Sequence, residues 1–504
     1  MQLKNFLAAT AAFVALSQPI AAYHVKRARS SPLIVPFPGQ GALPTAAQVQ
    51  STSAGDDSIP FENIQADILV GMKKQNEKFV FFHINNAATF KSVLKTYAPA
   101  NITSVATLIG PISAQPQAVV NVAFSQAGLG ALGVTDNLGD TAFTGGQFAD
   151  ASDGLGDDTN TWEPAFKGTN IDGVFLIISD QDSIITQYQD DLQAKLGDAW
   201  TVVYDLSGAA RPGDQFGHEH FGYLDGISNP LIKGFGEPLP GQAFIDPGII
   251  LVGRANDTVT TRPAWALDGS FLAFRKLKQL VPEFHKYTLD NALQNQSGNL
   301  STEEGALLLG SRMFGRWNSG APIDLTPDVD DPALGNDPNR NNNFNYIHPG
   351  EDPATDQSRC PFTAHIRKTN PRDLESQNLI PEFFHAIRAG TPYGPEVSYA
   401  ESSSNTTQID RGLAFVEYQS NISNGFRFQQ VNWANNNKFP FNKSISEPGL
   451  DPVIGQDKGA NRITTGLNPL NVSESLSIPD FIVSNGGEYF FAPSITSIVE
   501  TLAA

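Results

Sequence analysis

The order of strand-like and helix-like segments in the first half of the chain is the strongest constraint on its fold. Four segments are rich in β-branched and aromatic residues, and two others carry apolar residues at helical spacing. In chain order they are KFVFFHI (78–84), AATFKSVLKTYAP (87–99), AVVNVAFS (118–125), GVFLIISD (173–180), SIITQYQDDLQAKLG (183–197) and WTVVYDL (200–206). This β-α-β-β-α-β order predicts the split ferredoxin-like unit.

The second half also contains strand-like and helix-like segments, but longer stretches separate them. Its predicted strands are SFLAFRKL (270–277), GLAFVEYQ (412–419) and GGEYFFAP (486–493), with a helix over 281–293 and a helical or irregular stretch over 422–436. A polar segment rich in Asn, Asp and Pro (326–360) is predicted to be a long loop that frames a site. A chain of 504 residues is long enough for two domains. We therefore predict an α+β fold, a tandem of two ferredoxin-like domains with antiparallel sheets, over residues 58–235 and 236–504.

The N-terminus has the pattern of a secretory signal. Lys4 is followed by an apolar run and then by small residues that suit cleavage. A dibasic pair, Lys26-Arg27, comes next, as in many processed precursors. We predict a signal peptide over residues 1–22 and a pro-segment over residues 23–57, and we expect about the first fifty-five residues to lie outside the fold. Eight Asn-x-Ser/Thr sequons further indicate a glycosylated, secreted, extracellular protein.

Composition excludes several classes of partner and site. A net charge of −19 and a pI near 4.8 argue against nucleic acid and anionic membranes. Beyond the signal, no stretch approaches eighteen apolar residues, so we expect no membrane span. Cys360 is the only cysteine, which excludes an intrachain disulfide and a cysteine-based zinc site. We expect a monomer, with a dimer as the alternative.

Four residues are candidates for chemistry, and each also has an ordinary structural interpretation. Asp225 lies between glycines in FGHEHFGYLDGISNP (216–230), where it could simply form a turn. His365 in CPFTAHIRKTNPR could be a core histidine, or it could ligate an iron porphyrin whose propionates meet the cations at positions 367, 368 and 372. Arg388 could be a surface arginine, and Arg316 could pack against its neighbouring tryptophan.

Five motifs together resemble the fungal dye-decolorising peroxidases, which are secreted haem enzymes. They are NIQADILVGMKK, HFGYLDGISNP, GRWNSGAP, CPFTAHIRKTNPR and RAGTPYGPE. The resemblance extends from about Asn63 to Pro493. The fold of that family, a tandem of ferredoxin-like domains, agrees with the strand order above.

The resemblance implies one haem b per chain, bound in the C-terminal domain, and a role for each matching residue. His365 resembles the proximal axial ligand of the haem iron, Asp225 the distal acid-base and Arg388 the distal arginine. Leu413 and Phe415 resemble the apolar lining of the distal pocket, and Arg316 is a candidate partner of a propionate. The positions of Tyr393 and Trp433 are those through which the family is thought to pass electrons to the surface. The carboxylate that should hydrogen-bond the second nitrogen of His365 is not identified.

These residue types suit a peroxidase that uses hydrogen peroxide to oxidise dyes, phenols and other aromatic reductants. An ionised carboxylate can move a proton between the two peroxide oxygens, and a fixed guanidinium stabilises the charge on the leaving oxygen. Because a free Asp titrates near ~3.9, we expect activity to persist at acid pH.

Two other functions remain open from the sequence. His218 and His220 could hold a metal, with Glu219 or Asp225 as a third ligand, in a non-haem hydrolase or oxygenase. A glycosylated binding or wall protein without chemistry is the other alternative. Within the haem class, release of iron from haem is also possible, since one fold can host several outcomes.

Overall fold

The computed structural model describes residues 28–52, 58–168, 170–295 and 297–504, and the strands and helices given below are those of these ranges. The strands are β1 (Asn76–Ile84), β2 (Val119–Phe124), β3 (Gly173–Ser179), β4 (Trp200–Ala209), β5 (Leu231–Ile232), β6 (Phe244–Ile245), β7 (Ser270–Gln279), β8 (Ile387–Arg388), β9 (Thr391–Tyr393), β10 (Gly412–Gln419), β11 (Arg462–Thr465), β12 (Ser475–Ile478) and β13 (Ile482–Ala492).

The helices vary widely in length. Three of the four longest follow predicted strands, whereas the helix over 302–314 follows another helix and was not predicted. The helices are α1 (Ala46–Thr52), α2 (Asp67–Val70), α3 (Ala87–Asn101), α4 (Val105–Ile109), α5 (Gln126–Ala131), α6 (Thr141–Gly145), α7 (Gln147–Ala151), α8 (Asp182–Leu196), α9 (Val281–Asp290), α10 (Thr302–Phe314), α11 (Pro332–Gly335), α12 (His365–Thr369), α13 (Arg372–Ser376), α14 (Tyr399–Ser404), α15 (Phe426–Phe428) and α16 (Ile495–Ser497). π-Helical turns continue α15 over Gln429–Ala434 and α16 over Ile498–Leu502.

The first half has the predicted ferredoxin-like topology. β1 pairs antiparallel with β3 and β4, and β2 pairs antiparallel with β3, which gives the strand order β2-β3-β1-β4. Every residue of β2 and β3 is buried, because helices cover one face of the sheet and other strands cover the opposite face. The long apolar runs in these strands reflect burial on both faces.

The second half repeats this topology with the order β13-β7-β10 followed by β8 and β9. β8 and β9 both pair with β10 and are separated by Ala389 and Gly390, so they are two parts of one interrupted strand. Our strand assignment did not include this segment. It is short and contains Arg, Gly and Pro, which weakens the pattern by which strands are recognised.

The two four-stranded sheets join into one antiparallel sheet, a feature that the sequence did not predict. β2 meets β13 at one end, β4 meets β9 at the other, and β7 pairs with β10, so the strands form a closed barrel. The predicted α+β class with antiparallel sheets is confirmed. The boundary between residues 235 and 236 stays a prediction.

The N-terminal region differs from our expectation. Residues 1–27 and 53–57, which include the predicted signal peptide, lie outside the described residues. Residues 28–52 pack against the barrel domain, and Leu33, Phe37 and Val49 are buried there. The expectation that the first fifty-five residues lie outside the fold is therefore wrong for this segment. Its proline-rich sequence has no helical or strand period, so it gave no sign of packing. Within the described ranges, no helix combines the length and apolar character needed to cross a membrane.

Candidate active site

One cavity brings together six of the eight predicted site residues. It lies between β10, β8, the loop after β4 and the start of α12, and the predicted residues that line it are Asp225, Arg316, His365, Arg388, Leu413 and Phe415. Asp225 comes from the first half of the chain, whereas the other five come from the second half. The cavity is therefore built by both predicted domains rather than by the C-terminal one alone.

The first residue of α12, His365, is anchored by a carboxylate. Its Nδ1 donates a 2.9 Å hydrogen bond to Oδ2 of Asp451. The other oxygen of Asp451 accepts hydrogen bonds from the amides of Val453 and Ile454, at 2.7 and 3.0 Å. Burial alone would raise the pKa of Asp451, but His365 and the two amides hold the pKa below its usual value. Asp451 is thus the partner that the sequence could not identify.

A weak signal in the sequence marks Asp451. It lies in the stretch GLDPVIG, where an Asp directly before Pro and close to Gly is typical of a turn. Nothing in that stretch indicates a histidine 86 residues away, because the contact depends on the tertiary fold. The orientation of His365 matters because, with Nδ1 engaged, Nε2 is the nitrogen left to act as a ligand.

Asp225 and Arg388 form an ion pair in the same cavity. Nη1 of Arg388 donates a 2.6 Å hydrogen bond to Oδ1 of Asp225, and the amide of Gly226 donates to the same oxygen. Burial would raise the pKa of Asp225, but the Arg388 guanidinium and the Gly226 amide hold the pKa below its usual value. Gly226 has a φ of +76°, a conformation that lets the chain turn directly after the carboxylate. The loop is thus a turn that also places a charged acid in a cavity.

Asn229, which sequence analysis missed, fixes the backbone of Arg388. Its Oδ1 accepts a hydrogen bond from the Arg388 amide at 3.1 Å, and its Nδ2 donates to the Arg388 carbonyl at 2.8 Å. The Asn229 side chain therefore makes the two main-chain hydrogen bonds with Arg388 that a neighbouring strand would make on this side of β8. It follows Asp225 by four positions in the motif GYLDGISNP, so the same loop supplies the acid and positions the arginine.

β10 forms one wall of the cavity. Leu413, Phe415 and Glu417 alternate along the strand, so they share one face, and all three line the cavity. Glu417 lies opposite Arg388 in the β8–β10 ladder. Burial raises the pKa of Glu417 to about 7, although Arg388 and Gln429 oppose the shift. A second carboxyl group, not predicted from the sequence, therefore lies near the Arg388 guanidinium.

Two cavity-lining arginines have no carboxylate partner in the described part of the chain. Arg316 donates to the carbonyls of Gly320 and Asn341, and Arg372 donates to that of Asn342. Burial, with Arg372 nearby, lowers the pKa of Arg316 to about 9, so its charge persists at neutral and acid pH. Two neighbouring cations without carboxylate partners, Arg316 buried and Arg372 half-buried, favour an anionic ligand.

Only one of the three cations near His365 faces the cavity. Arg367 donates to the carbonyl of Cys360 and packs between the rings of Tyr346 and Phe362. Lys368 is buried and donates to the carbonyls of Asn436 and Gly449. The expectation that all three cations meet propionates is therefore wrong for Arg367 and Lys368. Of the three, Arg372 lines the cavity.

The two predicted electron-transfer residues lie outside the cavity wall, and both are buried. Trp433 is 2% exposed and contacts the cavity-lining Phe384, with ring centroids 4.7 Å apart. On its other side it stacks on Phe439 at 4.9 Å, and Phe439 contacts the exposed Phe441. These rings form a continuous aromatic path from the cavity to the surface.

Tyr393, the second of these residues, is 4% exposed and lies on β9. Its hydroxyl donates a 3.2 Å hydrogen bond to Oδ1 of Asp410, a half-exposed residue. Oδ2 of Asp410 forms an ion pair with Lys276, whose ammonium lies 5.5 Å from the Tyr393 ring centroid. Asp410 thus connects a buried phenol with solvent. Whether either aromatic residue carries electrons stays a prediction.

The alternative metal site at His218 and His220 is not formed. Nε2 of His220 donates a hydrogen bond to the Tyr393 carbonyl at 2.8 Å. The Glu219 carboxylate accepts hydrogen bonds from the amides of Phe221 and Tyr223. Burial, with Arg211 nearby, lowers the pKa of His220 to about 4. Across the described ranges, no three His, Cys, Asp or Glu side chains are grouped so that they could hold a metal ion. The residues of this motif instead support the Asp225 loop.

The chain is similar in sequence to known proteins. Residues 63–212 match the sequence model of the DyP dimeric alpha+beta barrel domain. The chain is 51% identical over 481 residues to the dye-decolorizing peroxidase AauDyP1 of Auricularia auricula-judae, a match that covers 94% of this chain and 92% of the relative.

Solved structures are similar in fold and sequence. A crystal structure of DyP superimposes with a TM-score of 0.87 at 74% identity, covering 89% of this chain and 99% of that protein. A dye-decolorizing peroxidase in complex with 2,6-dimethoxyphenol gives a TM-score of 0.84 at 58% identity, covering 88% of this chain and 100% of the other. The chain therefore belongs to the dye-decolorising peroxidases, a family of haem-dependent enzymes that act on dyes and phenols.

Proposed function

We propose that this peroxidase is secreted, binds one haem b per chain in the cavity described above, and uses hydrogen peroxide to oxidise dyes, phenols and other aromatic reductants. The observation that carries the proposal is the placement of His365, Asp225 and Arg388 around a single cavity. The signal-like N-terminus and the sequons support secretion. The monomeric state stays a prediction.

The residues of the cavity fit a haem. Nδ1 of His365 is held by Asp451, so Nε2 would be the iron ligand. Arg316 and Arg372, which lack carboxylate partners in the described ranges, would receive the two propionates. Leu413 and Phe415 supply an apolar wall. When bound, haem supplies a redox-active iron at which the oxygen–oxygen bond of peroxide is cleaved and from which oxidising equivalents reach the reductant.

Asp225 is the proposed acid-base. Its carboxylate would accept the proton from the inner peroxide oxygen and return it to the outer oxygen, which then leaves as water. The lowered pKa keeps the carboxylate ionised, and so able to accept a proton, in acid solution. Arg388 stabilises the negative charge that develops on the leaving oxygen, and the clamp formed by Asn229 fixes its backbone in place.

Asp451 would act through His365. A carboxylate that accepts the Nδ1 proton fixes the tautomer and increases the basicity of the opposite nitrogen. Bulky dyes do not need to enter the cavity if oxidising equivalents leave through Phe384, Trp433 and the rings beyond them.

The first test is the ultraviolet-visible spectrum of the haem-loaded protein before and after one equivalent of hydrogen peroxide. A Soret band that shifts within seconds supports the proposal. His365→Ala should lose the band, whereas His348→Ala, which removes a histidine bonded to Asp324 away from the cavity, should keep it. A wild-type chain expressed with haem that has no Soret band would overturn the proposal.

A further inference from the structure

The N-terminal strap, defined here as residues 28–52, is fixed to the barrel at several points. Nη2 of Arg29 forms a 2.5 Å ion pair with Asp180, and the Arg29 side chain is 5% exposed. Leu33 and Ile34 are buried in one apolar cluster with Val70. The strap therefore has a defined docking surface on the folded domain, although its sequence has no regular period.

The middle of the strap lies on the loop that carries Asp225. The rings of Phe37 and Phe216 meet edge to face, with centroids 4.5 Å apart. Nε2 of Gln40 donates a 3.0 Å hydrogen bond to the main-chain carbonyl of Asp225, and Gln40 is buried. The strap thus contacts the proposed acid-base residue itself.

Gln40 also fills the space beside Gly226. A methyl group built on Gly226 would lie 2.2 Å from Nε2 of Gln40, which is far too close for any real contact. Gln40 therefore closes the gap that the glycine leaves beside Asp225.

The strap forms the outer wall of a second cavity next to the active site. Gly39, Leu43 and Gln48 line it on the strap side, and Gly226 and Asn229 line it on the loop side. Ile227 and Pro230 line both this cavity and the active-site cavity. The loop therefore lies between the two spaces, and the strap forms one wall of the second.

We propose that the strap is a removable cover that restricts the passage of small ligands to the Asp225 side of the active site, and that the enzyme becomes fully accessible when the strap is absent. This inference rests on the proposed haem site. The predicted pro-segment, residues 23–57, contains the whole strap. Solved relatives that are covered almost completely leave about a tenth of this chain unmatched, so a chain of that shorter length is sufficient for the fold.

The test compares the haem-loaded full chain with a chain that begins at Ser58. Stopped-flow mixing with cyanide measures access to the haem without turnover, and mixing with hydrogen peroxide measures access of the substrate. We expect both second-order rate constants to rise at least tenfold in the shorter chain. A synthetic peptide of residues 28–52, added to the shorter chain, should slow cyanide binding in a saturable manner.

Point variants of the full chain give an independent test if the shorter chain does not fold. Gln40→Ala opens the gap at Gly226 and should accelerate cyanide binding severalfold. Gln50→Ala is the matched control, because Gln50 is an exposed residue of the same strap that lines neither cavity. Equal rates for the full and shorter chains, or for wild type and Gln40→Ala, would overturn the inference.

Amide hydrogen exchange tests the strap independently of the proposed function, because the measurement can be made without haem. The amides of residues 216–230 should exchange faster when the strap is removed, whether or not haem is bound. A full chain without a Soret band would contradict the haem proposal alone. Unchanged exchange in the loop would contradict the proposal that the strap covers it.

Discussion

Asp225 and Arg388, which are 163 positions apart in the chain, share a 2.6 Å hydrogen bond between Oδ1 and Nη1. The bond joins a loop of the first half to a strand of the second half. It places the base and the cation of the proposed reaction in direct contact before any substrate arrives.

The pH dependence of the peroxide reaction should report the pKa of Asp225. Because Arg388 holds this pKa below the usual ~3.9, the carboxylate is ionised above that pH and the rate falls only as the pH drops through the lowered pKa. Arg388→Leu removes the cation, so the pKa should rise and the acid limb of the profile should move to higher pH. Stopped-flow rates between pH 2.5 and 7 measure this shift.

Controls separate charge from packing at this pair. Arg388→Lys keeps the positive charge and should keep the acid limb near that of wild type. Asp225→Asn should lower the peroxide rate about 10²–10⁴-fold at every pH, the usual range for loss of an acid-base group. An Asp225→Asn variant with the wild-type rate would remove Asp225 from the mechanism.

Asp451→Asn should alter the environment of the bound haem while the fold is retained. The amide can no longer accept the Nδ1 proton as a charged partner, so the basicity of Nε2 falls and haem affinity or activity should drop about 10–100-fold. The Soret position of the ferric cyanide complex and a haem-transfer assay measure the effect. Asp330→Asn, which changes a partner of Ser319 away from His365, is the control and should leave the spectrum unchanged.

Trp433→Phe and Tyr393→Phe should affect bulky substrates more than small ones. The oxidation of a large dye should decrease severalfold, whereas the oxidation of a small phenol and the reaction with peroxide should stay near wild type. Trp162→Phe and Tyr97→Phe are matched controls, because both side chains are buried and neither lines the cavity. Equal losses on large and small substrates would show that the two aromatic residues serve packing only.

Glu488 should make the protein less stable as the pH rises. Burial raises its pKa to about 7, and its carboxylate accepts hydrogen bonds from the amides of Gln147 and Tyr489. The folded state therefore binds the proton more tightly than the unfolded state, whose pKa is near ~4.3. The stabilising contribution is complete below pH ~4 and is lost as the pH rises to about 7.

Thermal unfolding between pH 4 and 8 tests this sign. Glu488→Gln resembles the neutral carboxyl group, so its melting temperature should match wild type at low pH and decrease less towards pH 8. A steeper decrease in the variant would contradict the assignment. The expected stability in acid solution agrees with the predicted acid activity of the enzyme.

The predicted parts of the fold are those with a strong local pattern. β1 to β4 and the helices between them combine a clear period with adequate length, and their order alone specifies the ferredoxin-like topology. β8 was not predicted because it has only two residues and its partner Asn229 belongs to a distant loop. The closure of the barrel rests on contacts between the ends of the two halves, which no local pattern encodes.

The predicted parts of the site are those that carry a family motif. Asp225, His365 and Arg388 were identified through GYLDG, AHIRKTNPR and RAGTPYG, although each alone also had an ordinary structural interpretation. Asp451 and Glu417 lie outside these motifs, and they reach the cavity only because the chain folds them there. Residues 28–52 were misjudged for the same reason, since their packing depends on a surface formed by other parts of the chain.

The two halves of the barrel are joined mainly by buried side chains. Within each half, neighbouring strands share long ladders, whereas the ladders between the halves contain one residue pair each, Phe491 with Phe124 and Gly208 with Tyr393. Apolar side chains of both halves pack into the same two core clusters, so the interior of the barrel holds the halves together. The active-site cavity also has walls from both halves. In this enzyme the cofactor would therefore serve as a further brace between them.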